Sequence, residues 1–315
     1  MADFEVIRVS FKSQGIACAG RLYLPSNIQP HFACIVLANG FSGTMDWILP
    51  DFARRFAEAG FAAFSFDYRY LGESEGTPRQ LISLDAQRTD LINAIKWVRS
   101  YDGIDRGKIV LWGTSLGGSH VVEVASTDHQ IAAMICNMPG IDAFKGANVN
   151  AKAKAANASK AQIVTATIRL LGAASVDVVK SLFGLAPHYL EVYGKPGQAI
   201  FTDPSLVERF RTVAEGSASW KNRVAARVLF NLPKYKDGTI RRIKAPIFIT
   251  LAHNDVELDN DFVKEKFSES KNVEVKEYPY DHFSLYHGDA FEQVITDQIM
   301  FLMKHVKIRD ATSGD

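Results

Sequence analysis

The sequence predicts an α/β fold: a mostly parallel sheet with helices on both faces, interrupted by one long helical insertion. Three observations predict it. Short, nearly continuous apolar runs alternate with amphipathic stretches, as in parallel sheets buried on both sides. That alternation stops after Pro139-Gly140 and resumes at Ala245-Pro246. A strand, a sharp glycine turn and a helix-compatible run meet at Gly113-Thr114-Ser115-Leu116-Gly117. With 315 residues, 47% apolar and 23% charged, the chain is long enough for one large domain carrying an insertion, or for two small domains.

Residues 3–12 and 16–24 alternate, with Gln14-Gly15 as the turn between them, which predicts an antiparallel pair. Residues 32–38 are a buried strand. Residues 46–59 carry Trp47, Leu49, Phe52, Phe56 and Ala59 at helical spacing, closed by Gly60. A strand at 61–67 and a helix at 80–101, with Leu84, Leu91, Ile95 and Val98 inward, come next. Strands follow at 109–112 and 131–136, with a helix from Gly118 between them. Residues 141–243 are helix-prone without strand alternation: an Ala/Lys-rich stretch at 151–161, then 164–171, 176–183, 206–215 and 220–229. The core resumes with a strand at 245–251, a helix at 260–269, a strand at 273–278 and a closing helix at 289–306, before a frayed tail from Ile308. The predicted organisation is a core of 1–140 and 244–315 with a helical cap at 141–243.

The glycine turn is a nucleophile elbow by its context. A serine in a strained turn needs neighbours without Cβ atoms, and the following helix presents free N–H groups beneath it. Gly72-Glu73-Ser74-Glu75-Gly76 fits the same formal pattern, but Thr77 and Pro78 follow it and glutamates flank Ser74. It reads as a solvated turn with a structural serine.

A serine hydroxyl at neutral pH needs a base, and the base needs an orienting carboxylate; in this architecture they follow in the order serine, acid, histidine. Asp255 stands four residues beyond the 247–251 strand and is the predicted acid, over Glu257, Asp259 and Asp142. His282, in the loop after the last strand, is the predicted base, over His287 and His253. Backbone N–H groups of Leu116 and Phe41 are the predicted oxyanion donors, with Gly40 and Gly43 allowing that loop close approach.

Phe66-Asp67-Tyr68-Arg69 with Gly72 and Ser74, Trp112 to Gly118, and His282-Phe283-Ser284-Leu285-Tyr286 with Gly288 and Phe291-Glu292 together resemble the α/β-hydrolase superfamily. The resemblance covers nearly the whole chain. The last motif is similar to that of a branch containing monoalkyl-phthalate-type esterases and fungal polyketide thiohydrolases or acyltransferases. Asn39-Gly40 stands where many relatives carry His-Gly, and Ser284 where the branch carries Asp. The resemblance implies a serine carboxylic-ester hydrolase with a helical cap. Leu170, Leu171, Phe183, Tyr189, Tyr193, Phe201 and Trp220 are the cap's candidate pocket walls. An acyltransferase or thioesterase with the same triad is the alternative, and a non-catalytic binding protein on the same fold the second.

A net charge of +1 with no basic block argues against a nucleic-acid surface. No H-E-x-x-H, paired cysteines or phosphate-binding glycine loop occurs, so neither metal nor cofactor is expected. Cys18, Cys34 and Cys136 sit in apolar surroundings and read as buried thiols. The first residues read as a strand rather than a signal peptide, and no apolar run approaches the ~20 residues of a membrane span. The expectation is a cytoplasmic protein acting on a small ester or thioester, with no membrane partner and with room for a homo-oligomer.

Overall fold

A computed structural model describes residues 3–26, 31–148, 159–203 and 215–306. Strands β1 (Phe4–Ser13) and β2 (Ile16–Pro25) form the predicted hairpin, with Gln14 and Gly15 both at positive φ in its turn. β3 (Phe32–Ala38), β4 (Ala62–Phe66), β5 (Ile104–Thr114), β6 (Ile131–Asn137), β10 (Ile247–Ala252) and β11 (Val273–Tyr278) complete an eight-stranded sheet in the order β1-β2-β4-β3-β5-β6-β10-β11. From β4 to β11 all neighbours run parallel. β3 connects onward to β4 on one side while its other neighbour, β5, leads to β6. This is a switch point, where open sheets place their ligands beyond the carboxyl ends of the strands.

The inward alternation of β3 shows why its sequence is apolar throughout. Ile35 and Leu37 enter one core layer, and Cys34, Val36 and Ala38 the other. Helices α1 (Leu49–Glu58) and α6 (Gly288–His305) cover the first face with Phe52, Phe56, Phe291 and Ile295. α2 (Leu84–Ser100), α3 (Leu116–Ala125) and α5 (Asn260–Phe267) cover the second with Leu91, Ile95, Val98, Val121 and Phe267. Cys18, Cys34 and Cys136 are buried free thiols in the second layer; burial pushes Cys18 up to about 12 and raises the other two as well.

The insertion departs from the helical expectation. Its long helix α4 (Lys160–Leu182) joins the two predicted pieces into one, begun by a capping box at Ser159 and Gln162. Beyond it lies a three-stranded sheet in the order β8-β7-β9, made of β7 (Tyr189–Tyr193), β8 (Ala199–Phe201) and β9 (Val224–Ala225). Residues 220–229, predicted helical, hold β9 and a 3₁₀ turn (Ala226–Phe230) instead. β7 escaped notice because Pro187, Gly194, Pro196 and Gly197 crowd a five-residue strand whose alternation is too short to stand out. Residues 151–158, 206–214 and the tail from Ile308 lie outside the described residues. α4 is also long and apolar enough to cross a membrane by length and composition. The sequence reading missed this because Arg169 and Asp177 interrupt its apolar run.

Candidate active site

β5 ends at Thr114, and the chain turns through Ser115 at φ 51° and ψ −118° into α3. Backbone in that region costs ~1–3 kcal/mol and persists only where the surroundings hold it. Here the Ser115 N–H donates to the Asn137 carbonyl at 2.9 Å, and the Ser115 carbonyl accepts from Gly140 N–H at 2.9 Å. A Cβ at Gly113 would lie 2.5 Å from the Gly117 carbonyl oxygen, and one at Gly117 would collide with the Ala38 carbonyl. The strand, the helix and β3 therefore meet at van der Waals limits around the serine.

Asp255 lies in the turn after β10 and His282 in the loop after β11, as the chain order anticipates. Asp255 Oδ2 is 2.8 Å from His282 Nδ1, and Oδ1 accepts from the Glu257 and Leu258 N–H groups at 2.8 and 3.0 Å. With two donors fixing one oxygen, the other is aimed at the imidazole. The Asp255 and His282 side chains are 0% and 4% exposed. Of the rival acids, Asp259 and Asp142 are engaged otherwise, while buried Glu257 lines one cavity with Ser115 and His282. Asp259 caps α5, and Asp142 accepts from the Phe144, Lys145 and Tyr235 N–H groups. His253 pairs with Glu277, and exposed His287 precedes α6. Ser74 is structural but not solvated: it is buried, donates to the Asp67 carbonyl at 2.6 Å and accepts from Ala19 N–H at 2.9 Å.

Ser115, His282, Phe41 and Leu116 line one cavity of about 230 Å³. Leu116 is the first residue of α3, so its N–H has no acceptor within the helix. Phe41 belongs to the loop after β3, which Asn39 braces: its Nδ2 donates to the Thr44 and Trp47 carbonyls at 2.8 and 3.1 Å, while its Oδ1 accepts from Gly40 N–H at 2.8 Å. Tyr286, from the H-F-S-L-Y motif, places its hydroxyl 2.5 Å from Thr114 Oγ1 at the cavity wall, and burial pushes its phenol up.

The remaining lining is mostly apolar, with Asn39, Asp142 and Glu257 as its polar side chains, and the insertion contributes Ile200, Phe201, Leu229, Leu232 and Pro233. Of the seven wall candidates from the sequence, only Phe201 lines the cavity. Leu171 and Phe183 face outward, while Tyr193 and Trp220 pack with Trp47 of the loop after β3.

Sequence reasoning also missed Asp46. Its Oδ1 accepts from Thr44 Oγ1, Ser217 Oγ and Ser219 Oγ, each at 2.7 Å, and its Oδ2 accepts from Ser219 N–H at 3.0 Å. Burial alone would raise this carboxyl; the hydrogen bonds outweigh it and hold it below its usual range. Trp220 Nε1 adds a bond to Ser42 Oγ at 3.2 Å, and Phe41 meets Phe201 edge-on at 5.7 Å. The loop carrying Phe41 is thus fastened to the insertion.

Comparison with known proteins agrees with this architecture. The Hydrolase_4 family model, described as serine aminopeptidase S33, matches residues 29–294. The chain is 34% identical over 303 residues to the quorum-quenching protein AidA of Acinetobacter baumannii (strain MDR-ZJ06), covering 96% of this chain and 95% of that one. It is 26% identical over 313 residues to the polyketide transferase ATR5 of Stachybotrys chlorohalonatus, covering 95% and 97%. The crystal structure of the alpha/beta hydrolase GrgF from Penicillium sp. sh18 superposes with a TM-score of 0.78 at 22% identity, over 96% of this chain and all of that one, and so shares the fold. The chain belongs to the Hydrolase_4 family of α/β hydrolases.

Proposed function

We propose that the chain is a serine hydrolase that cleaves carboxylic esters through an acyl-enzyme. One observation carries this reading: Ser115, at its strained elbow, shares an apolar cavity with a histidine whose other ring nitrogen is held by the buried Asp255. His282 Nε2 takes the hydroxyl proton as Ser115 Oγ bonds to the acyl carbon. Asp255 holds the ring in the required tautomer and stabilises the imidazolium. The Phe41 and Leu116 N–H groups receive the oxyanion, and the imidazolium returns the proton to the departing alcohol. Water then attacks the acyl-enzyme with the same base, releasing the acid and restoring Ser115.

The cavity is smaller than the ~300–1,000 Å³ usual for ligand pockets and mostly apolar, with Asp142 and Glu257 among its lining residues. It suits a slender apolar acyl or alcohol arm. Residues 141–243 act in this reading as a cap that excludes water and shapes the pocket. Replacing Ser115 by Ala lowers p-nitrophenyl ester turnover by roughly 10⁴-fold or more, with circular dichroism unchanged. Undiminished turnover would remove Ser115 from the mechanism.

A second reading keeps the triad and changes the acceptor, making the chain an acyltransferase or thioesterase. The full-length match to a protein named a polyketide transferase supports it. Partition of the acyl group between water and an added alcohol or amine separates the two readings. Labelling by a fluorophosphonate probe tests both against a non-catalytic binding protein, because only an activated Ser115 labels.

A further inference from the structure

Thr114 immediately precedes Ser115, and Tyr286 stands four residues beyond His282, so nucleophile and base each have a hydroxyl close by in the chain. The fold brings those two hydroxyls together. Tyr286 OH and Thr114 Oγ1 are 2.5 Å apart, and both residues are buried beside the catalytic cavity. The hydrolytic mechanism itself uses neither oxygen.

The direction of this bond follows from the other partner of Thr114. Its Oγ1 donates to the Asn137 carbonyl at 3.4 Å, and the same carbonyl accepts the Ser115 N–H at 2.9 Å. A hydroxyl has one proton to give, so the phenol supplies the proton of the short bond. Burial, with the Asp255 carboxylate nearby, keeps that phenol protonated. Tyr286 O–H therefore donates to Thr114 Oγ1, and Thr114 O–H to the carbonyl that holds the elbow. The histidine loop is tied through this chain to the backbone of the nucleophile.

We infer that the Thr114–Tyr286 pair sets the distance between nucleophile and base, which rests on the reading of this site as a serine hydrolase. The topology shows why such a part is needed. β6 and β10 separate β5, which ends at Thr114, from β11, whose loop carries His282. Within that loop, Asp281 Oδ1 accepts from the Phe283 and Ser284 N–H groups at 3.1 Å each, and the Tyr286 N–H donates to the Phe283 carbonyl at 3.3 Å. These bonds shape the loop without fixing it to β5. The bond from Tyr286 crosses that gap directly. Proton transfer tolerates little error, since a misplacement of about 1 Å costs roughly 10²-fold in rate. Thr114 and Tyr286 are positioning residues, acting through Ser115 and His282.

Turnover of p-nitrophenyl esters by the full chain, counted per site titrated with a fluorophosphonate, tests this. Tyr286→Phe and Thr114→Val each lower kcat roughly 10- to 100-fold while KM stays within about threefold of the parent. The double variant is no slower than the slower single variant, because both changes break one link. Thr114→Ser keeps the oxygen and recovers most of the rate lost in Thr114→Val. Thr114→Val strands a buried phenol, whereas Tyr286→Phe removes it and leaves Thr114 its bond to Asn137. Tyr286→Phe therefore carries the test even where Thr114→Val does not fold. A packing role alone would lower denaturant midpoints and leave kcat per titrated site unchanged, and that result overturns the proposal. So do losses that multiply in the double variant, or a Thr114→Ser as slow as Thr114→Val. A parent that neither turns over esters nor labels at Ser115 refutes the hydrolase reading instead, and this inference with it.

Discussion

Asp255 separates orientation from charge at the base. Asp255→Asn keeps an acceptor for the Glu257 and Leu258 N–H groups but presents the wrong partner to His282 Nδ1, so kcat falls by roughly 10⁴-fold with the fold intact. Stopped assays on folded variant protein check this. Asp46→Ala acts on another step. It frees residues 217–219 from the loop carrying Phe41 and loosens the oxyanion donor: kcat drops by up to roughly 10²-fold, and fluorophosphonate labelling of Ser115 slows with it because the phosphonyl oxygen uses the same donor. An unchanged kcat would show that the loop holds its position without Asp46. The contrast between these residues explains what was legible. Ser115, Asp255 and His282 each sit in the turn or loop that follows a strand, so local pattern and chain order locate them. Asp46 has partners 171 and 173 residues away, and no local periodicity announces a hydrogen bond across that distance.

At the scale of elements, α6 does more than cover a sheet face. The Gln298 amide donates to Asn137 Oδ1 at 2.7 Å and Thr250 Oγ1 at 3.2 Å, and its oxygen accepts from Trp112 Nε1 at 3.0 Å. One buried side chain thereby fixes the ends of β5, β6 and β10, from which the nucleophile and acid turns emerge. Gln298→Leu strands these groups without partners and costs about 2–5 kcal/mol, read as a lowered denaturant midpoint with unchanged slope. The core strands and helices were legible because continuous apolar runs and helical spacing persist over many residues. The insertion was not. Its strands span five, three and two residues, and their pairing is set by tertiary contacts: Asn222 Oδ1 accepts from the Val192 and Tyr193 N–H groups at 3.1 and 3.0 Å.

The whole molecule carries its titration in its interior. His120, packed on Tyr68 and 2.9 Å from Gln87 Oε1, is pushed from 6.5 to about 3, by burial first and by the Arg88 charge second. The unfolded chain therefore binds a proton that the folded chain does not. Stability from this site is complete above pH 6.5 and declines as pH falls towards 3, by up to ~1.4 kcal/mol per unit. Asp67 works oppositely. Burial raises it from 3.8 to about 7 despite N–H bonds from Met45 and Glu73, so its contribution declines as pH rises through that window. Denaturant midpoints at pH 7 and pH 5 isolate the histidine: His120→Gln loses less stability between them than the parent. The thiols need no pH control. Cys18, Cys34 and Cys136 are unreactive to Ellman's reagent until the chain unfolds, whereupon all three label.

The fastening of residues 42–47 to residues 217–220 bears on how such chains can be recombined. The loop after β3 and the insertion lie far apart in sequence, yet Asp46, Ser42 and Trp47 find their partners there. A graft that exchanges 141–243 alone would leave the Asp46 carboxylate facing a foreign surface. A graft that carries residues 39–48 with it transplants a matched pair. In shuffled libraries of these hydrolases, active chimeras should inherit both segments from one parent.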